Sequence, residues 1–509
     1  MPQVFSFNDY NRGYYSQEGD DMTTYDIAVV GAGFGGLSAA ALLAKKGYSV
    51  AVLEASFELG GCAGKFNRPG YRFQAGATVG MGFEEGGVLK RLFEELEIDL
   101  PPMKRMDTIM NIHMGDETIH YYREKEAWFL ELERLFPHIA DRAKAFFEEV
   151  FQVGSRIDHL LDDLPVFPPK RAIDWLKMTK YVNTNSMKLI PFMTQTLMDR
   201  LKAFNVNKDE RFLAFLNGQL MDSVQTTAEH CPAFLGHAAL QTFHKGAYAV
   251  QGGLASVAKS LATSIKDNGG EIHMRRPALH IEQQQGYWVV HSKREKTYVA
   301  NKVILNNSMH NFHHLFDESV SSKSNVKKDR MDTSWGAFML YLGVEDNYPA
   351  DVLYHQIIQN PSKPLAEGNQ FLLSLSAPND RTMAPEGKRA ITISTHTEIS
   401  QWWQQETYEE RKAEYVERIL DGVEKHFPTI REDIDLLMPG TPVTFERYVK
   451  RDKGRVGGYI PNGKWSWLNH YSVHTGLTDV FSCGDTTFPG AGTLGTTLSG
   501  WIAANEAMK

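Results

Sequence analysis

Residues 25–54, YDIAVVGAGFGGLSAAALLAKKGYSVAVLE, run as an apolar strand, a glycine turn, a helix, a second apolar strand and an acid. That order is a βαβ unit. Gly31, Gly33 and Gly36 form GxGxxG between the strand and the helix. The first glycine permits a tight turn, the second lets backbone approach a pyrophosphate, and the third lets helix and strand pack closely. The helix N-terminus then turns free N–H groups and the positive end of its dipole toward phosphate. Glu54 closes the second strand, eighteen residues beyond Gly36, where it can accept hydrogen bonds from an adenosine ribose. The glycine pattern alone is weak, but with strand, helix and acid in order it specifies a dinucleotide site. A carboxylate at this point repels a 2'-phosphate and disfavours NADP, leaving FAD and NAD open. Within the helix, Leu37, Ala40, Ala41 and Ala44 fall on one narrow face of mostly small residues, expected to lie on a sheet.

Just beyond, GGCAGK places Gly60, Gly61 and Gly64 as bare backbone and Lys65 as a positive charge near the phosphates. A second helix is predicted in LASVAKSLATSIKDNGG, with Leu254, Val257, Ala258, Leu261 and Ile265 on one face and Gly269 or Gly270 at its C-cap. Strand-like pieces follow, a return to the nucleotide-binding sheet. Residues 96–245 differ, being rich in Phe, Met, Leu and Lys at helical spacing, and 311–430 mixes strand patterns with a charged helix. The expectation is an α/β fold in which a Rossmann-type domain is assembled from discontinuous segments, 22–95, 246–310 and 431–509. An α+β substrate domain, 96–245 and 311–430, is interleaved with it. Residues 1–21 carry no period and are expected to be a disordered extension.

The chain has 509 residues, 42% apolar and 23% charged. No run approaches the ~18 apolar residues of a membrane span. The formal charge of -8 gives no electrostatic footprint for nucleic acid. Cys62, Cys231 and Cys483 are far apart and unpaired in spacing, which fits a reducing, cytoplasmic setting.

The stretch LEASFELGGCAGKFNRPGYRFQAGATV resembles the N-terminal signature of the phytoene desaturase and carotenoid isomerase flavoproteins, within the FAD-dependent amine oxidase-like superfamily. The resemblance continues through GAYAVQGGLASVAKSLATSIKDNGGEI, KVILNNSMHN, SWGAFMLYLGV, STHTEISQWW, GTPVTFERYVKRDKGRVGG and CGDTTFPGAGTLGTTLSG. The later blocks look closer to the carotenoid cis-trans isomerase and retinol saturase branch. The resemblance implies FAD, with Asp485 at its ribitol or pyrophosphate region and the helix N-terminus near Thr493 at the flavin pyrimidine edge. Motif and resemblance together imply a cofactor set of Gly31, Gly33, Phe34, Gly35, Gly36, Glu54, Ala55, Gly60, Gly61, Gly64, Lys65, Gly484, Asp485, Gly492, Thr493 and Leu494. The chain departs from the family at Gln74, where an Asp is usual, at Val250 and Gln251, where a Pro is usual, and at Thr496 and Thr497. A literal second GxGxxG, Gly490, Gly492 and Gly495, lacks a following strand and acid and is not a second dinucleotide domain.

The relatives act on long apolar polyenes, so the resemblance implies desaturation or cis-trans isomerisation with flavin N5 chemistry. No catalytic residue is assigned and no electron acceptor is identified. Residues 168–201 mix Lys170, Arg171, Lys177, Lys180 and Lys188 with Trp175, Met178, Leu189, Ile190 and Phe192, an expected membrane-facing helical region for peripheral contact on an inner membrane face. His396 reads as a hydrogen-bonded structural histidine, with a position facing the substrate cavity as the alternative. Trp402, Trp403, Trp465 and Trp467 suit a polyene wall, an amine cage or plain packing. Two other functions stay open: a flavin-dependent amine or small-molecule oxidase of the same fold, and a non-catalytic flavin-binding scaffold.

Overall fold

The structure is a computed structural model that describes residues 24–327 and 334–509. The extension expected at 1–21 lies outside the described residues. The chain enters through strand β1 (Thr24–Val30), helix α1 (Phe34–Lys45) and strand β2 (Val50–Glu54), as the glycine pattern predicts. β1 lies between β2 and strand Thr297–Leu305, parallel to both, and Glu271–Met274 extends the parallel run beyond β2. Val480–Ser482 also pairs in parallel with the end of Thr297–Leu305, beyond the point where the antiparallel hairpin Ala278–Gln284 and Tyr287–Ser292 joins it. This seven-stranded sheet thus gathers strands from three distant parts of the sequence.

β2 is buried on both faces, as expected for a parallel strand covered on both sides. α1 departs from the narrow-face expectation: every residue from Phe34 to Ala44 is buried. It is held against the sheet by two further helices, Ala255–Asp267 and Gly492–Ala507. Small side chains all round are what such enclosure needs.

A second seven-stranded sheet runs Ile434–Gly440, Gly336–Glu345, Lys388–Thr397, Gln370–Leu375, Tyr354–Ile358, Thr108–Met114 and Glu117–Tyr122. Ile434–Gly440 falls in the third segment predicted for the Rossmann-type domain, yet its hydrogen bonds go to Gly336–Glu345. Helices Ala140–Asp162, Glu210–Val224 and Ala233–Lys245 pack over this sheet. Their shared core joins Phe146, Phe147 and Phe215 to Ile112, Phe371 and Ile393. The short strands Met103–Met106 and Ala247–Val250 pair where the chain passes between the two halves.

Candidate active site

A single cavity of about 580 Å³ runs from the glycine turn of the first sheet into the space between the helices and the second sheet. Its first wall is the βα turn. Gly31 has φ +101°, a left-handed conformation that favours glycine. A Cβ on Gly36 would stand 2.2 Å from the Gly31 carbonyl oxygen. Gly33 is the N-cap of α1 with no side-chain cap, and the first turn holds no acid. Glu54 sits beside it, accepting from Ala32 N–H and Ser56 N–H at 2.7 Å each. These bonds fix the carboxylate while burial raises its pKa. The second glycine loop closes on the first, with Gly60 N–H donating to Ala32 O at 2.8 Å.

The opposite wall is the turn into the helix Gly492–Ala507, whose N-cap Ala491 also offers no side-chain cap and no acid in the first turn. Two uncapped helix N-termini therefore open on one cavity, a donor arrangement suited to an anionic dinucleotide. Thr493 Oγ1 ties this wall to Met81 by donating to its carbonyl at 2.9 Å and accepting from its N–H at 3.1 Å. Asn306 fits between the walls. Its Nδ2 donates to Gly31 O at 3.2 Å, and a Cβ on Gly33, Gly35 or Gly484 would meet its amide at 2.8–3.0 Å. Asp485 pairs with Arg451 at 2.8 Å, and Arg451 also reaches Gly457 O. Cys62 Sγ lies 3.7 Å from Arg451, and burial pushes its thiol pKa up.

The inner cavity is mostly apolar, lined by Ile157, Leu161, Leu235, Phe243, Met110 and Leu372. Titratable groups interrupt that lining, among them Asp158, His396, His470, Tyr459 and Asp222. Asp158 is ion-paired with Lys245. His396 faces the cavity, the alternative to a structural role that its sequence leaves open, with burial pushing its pKa down to about 4. Asp222 is held by Gln356 Nε2 at 2.6 Å and Gln370 Nε2 at 2.8 Å.

Thirteen of the predicted cofactor residues line the cavity: Gly31, Gly33, Phe34, Gly35, Glu54, Ala55, Gly60, Gly61, Gly484, Asp485, Gly492, Thr493 and Leu494. Gly36 and Gly64 stand behind the wall and allow its tight turns; a Cβ on Gly64 would lie 2.6 Å from Leu59 O. Lys65 is not on the wall, because its strand pairs with Tyr71–Gln74 and places it opposite Gln74. Gln74 accepts from Leu254 N–H at 3.1 Å at the start of the helix Ala255–Asp267, which gives this departure from the family pattern a helix-capping contact. Asn306, Arg451 and Asp222 were not anticipated. The first two lie within family blocks, KVILNNSMHN and GTPVTFERYVKRDKGRVGG, where attention to single polar residues could have singled them out. None of the four tryptophans lines the cavity. Trp402 packs on Phe338 and Tyr415, Trp467 on Phe167, and Trp403 and Trp465 are exposed. Packing and surface positions, not a cage, account for them.

The family model for flavin containing amine oxidoreductases matches residues 34–508, and the chain belongs to that family. It is an FAD-dependent oxidoreductase. The chloroplastic prolycopene isomerase of Daucus carota is 28% identical over 504 residues, covering 95% of this chain and 80% of the relative. A 4,4'-diapophytoene desaturase (4,4'-diapolycopene-forming) of Methylomonas sp is 27% identical over 505 residues, covering 92% of each. An oxidoreductase structure from Methanosarcina mazei has a TM-score of 0.64 at 16% identity, covering 94% of this chain and 100% of that one, a likeness of fold.

Proposed function

We propose that this enzyme acts on a long apolar polyene of the carotenoid kind, as a desaturase or a cis-trans isomerase. The observation that carries the reading is the continuity of one cavity from the two helix N-termini into a chamber lined by Ile157, Leu161, Leu235 and Phe243. A hydrocarbon needs such a lining and little polar recognition. The names of the isomerase and desaturase relatives agree with it.

In this reading Gly31, Gly33, Phe34 and Gly35 hold the FAD diphosphate on α1. Glu54 and Ala55 take the ribose, and Gly60 and Gly61 close over it. Asp485, fixed by Arg451, lies by the ribitol, with Gly484 behind it. Gly492, Thr493 and Leu494 bring the second helix dipole to the flavin ring, where it stabilises negative charge. Bound FAD supplies hydride and electron transfer; the chain's apolar wall excludes water and aligns the polyene.

The test is anaerobic incubation of the purified flavoprotein with liposomes carrying cis or trans polyenes. Flavin bleaching with a longer chromophore is expected for desaturation, and geometric conversion with reduced flavin for isomerisation. No conversion of any polyene, or hydrogen peroxide release with amines, would overturn the reading.

Among the described residues no helix is long and apolar enough to cross a membrane. We further propose peripheral contact with an anionic bilayer through residues 170–190. The region is broken into the short helices Ala172–Met178, Thr184–Met187 and Ile190–Met193. Leu189 turns inward, while Ile173, Trp175, Leu176, Val182, Met187 and Ile190 are exposed among Lys177, Lys180 and Lys188. Apolar side chains flanked by lysines suit a bilayer surface. Trp175→Glu with Leu176→Glu should reduce sedimentation with anionic vesicles about tenfold and leave FAD content intact; unchanged sedimentation would exclude this surface.

A further inference from the structure

Asp222 stands near the C-terminal end of helix Glu210–Val224, on the cavity wall. Its two carboxylate oxygens accept from the amides of Gln356 and Gln370, which reach it from two neighbouring strands of the second sheet. Gln356 is oriented in turn, because its Oε1 accepts from Gln219 Nε2 at 2.9 Å. Gln219, Gln356 and Gln370 are all buried. No salt bridge reaches Asp222 among the described residues, in contrast to Asp158, which is paired with Lys245. His396 and His470, both neutral over the physiological range, and Tyr459 also stand on the cavity wall.

A carboxylate on a largely apolar wall without a cation beside it is unfavourable, and Asp222 stands partly exposed to the cavity. A chamber shaped for hydrocarbon has no recognition role for it. Burial pushes the Asp222 pKa up to about 6, so it is an anion at neutral pH and a stronger base than an exposed aspartate.

Resting on the polyene reading, we propose that Asp222 is the general base of this chamber, which makes the reaction a dehydrogenation of a saturated C–C bond in the polyene chain. Two C–H bonds break and one π bond forms. One hydrogen leaves with both bonding electrons to oxidised flavin, which is reduced by two electrons. The other leaves as a proton to an Asp222 oxygen, and its bonding pair becomes the π bond. The proton passes to solvent on turnover. The Gln356 and Gln370 amides are positioning groups that aim the carboxylate.

Asp222→Asn removes the base at nearly constant volume. Gln370 can turn its amide to meet the new NH2, since its Oε1 has no partner. The experiment is single-turnover flavin reduction by a partly saturated polyene, followed against pH, with infrared difference spectra of the carboxyl band on polyene binding. In the wild type the rate should rise through pH ~6 to a plateau, the sign expected for a base that works deprotonated. Asp222→Asn should lose that limb and about 100-fold or more in rate, keep its FAD and bound polyene, and lack the infrared band. Asp222→Glu should recover the limb in part.

A wild-type rate and pH profile in Asp222→Asn would overturn the assignment and leave the polyene reading standing. So would geometric conversion without flavin reduction in the wild type. If Asp222→Asn does not fold, an unchanged rate in Asp222→Glu, whose carboxylate is displaced by one methylene, has the same force. Failure of the wild type to bind or convert any polyene would overturn both proposals.

Discussion

Two stretches of this chain spell the same pattern, Gly31–Gly33–Gly36 and Gly490–Gly492–Gly495, and the structure gives them the same local geometry. Gly31 and Gly490 both have positive φ, +101° and +119°. A Cβ on Gly36 would meet Gly31 O at 2.2 Å, and one on Gly495 would meet Gly490 O at 2.5 Å. Each loop opens an uncapped helix N-terminus onto the same cavity. Their surroundings differ. The first loop is followed by a strand carrying Glu54, whereas the second follows Asp485, which is held by Arg451. In the proposed reading the shared pattern sets how each backbone turn approaches the cofactor, and the neighbouring acid sets which part of it the turn meets.

The equivalence of the two turns can be broken at the third glycine. Gly36→Val and Gly495→Val each force a side chain against a backbone carbonyl. Both should yield protein with more than tenfold less bound flavin, read from the ratio of flavin to protein absorbance, with Gly36→Val the worse. Full flavin occupancy in Gly495→Val would mean that the second turn is not a cofactor wall.

The difference between the turns can be sharpened at the acids. Asp485→Ala leaves Arg451 enclosed without its carboxylate, an expected loss of about 3 kcal/mol, seen as a lower Tm and poor FAD retention on dilution. Glu54→Gln keeps an acceptor for the Ala32 N–H. It should cost only about 1 kcal/mol, or about fivefold in FAD affinity by titration of the apoprotein. Equal losses in the two variants would remove the distinction between the acids.

The first turn was legible because its logic is local: strand, glycines, helix and acid follow one another within thirty residues. The second turn was reachable only by resemblance, since no strand and acid follow it. Asn306, Arg451 and Asp222 were missed because each is a single polar residue whose place depends on contacts made far away in the chain; Arg451 and Cys62 are 389 residues apart. Helical periodicity also underestimated burial. It assigned one narrow face to α1, yet α1 and the last helix are both largely enclosed, because alanines and glycines pack on every side without the large apolar residues that mark a face. For the tryptophans the sequence left wall, cage and packing open, and the fold uses them in the core or leaves them at the surface.

Gly35 and Gly500 are where α1 and the last helix cross, so closely that a Cβ on Gly500 would lie 2.2 Å from Gly35 O. The contact joins positions 465 residues apart. A chain emerging from the ribosome makes the first glycine turn early but cannot complete the cradle until the last helix has left the exit tunnel. Closing so long a loop is slow, and until it closes the two halves of the parallel sheet lack their shared cover. Completion of this wall therefore waits on a long-range contact rather than on the local order of the first turn.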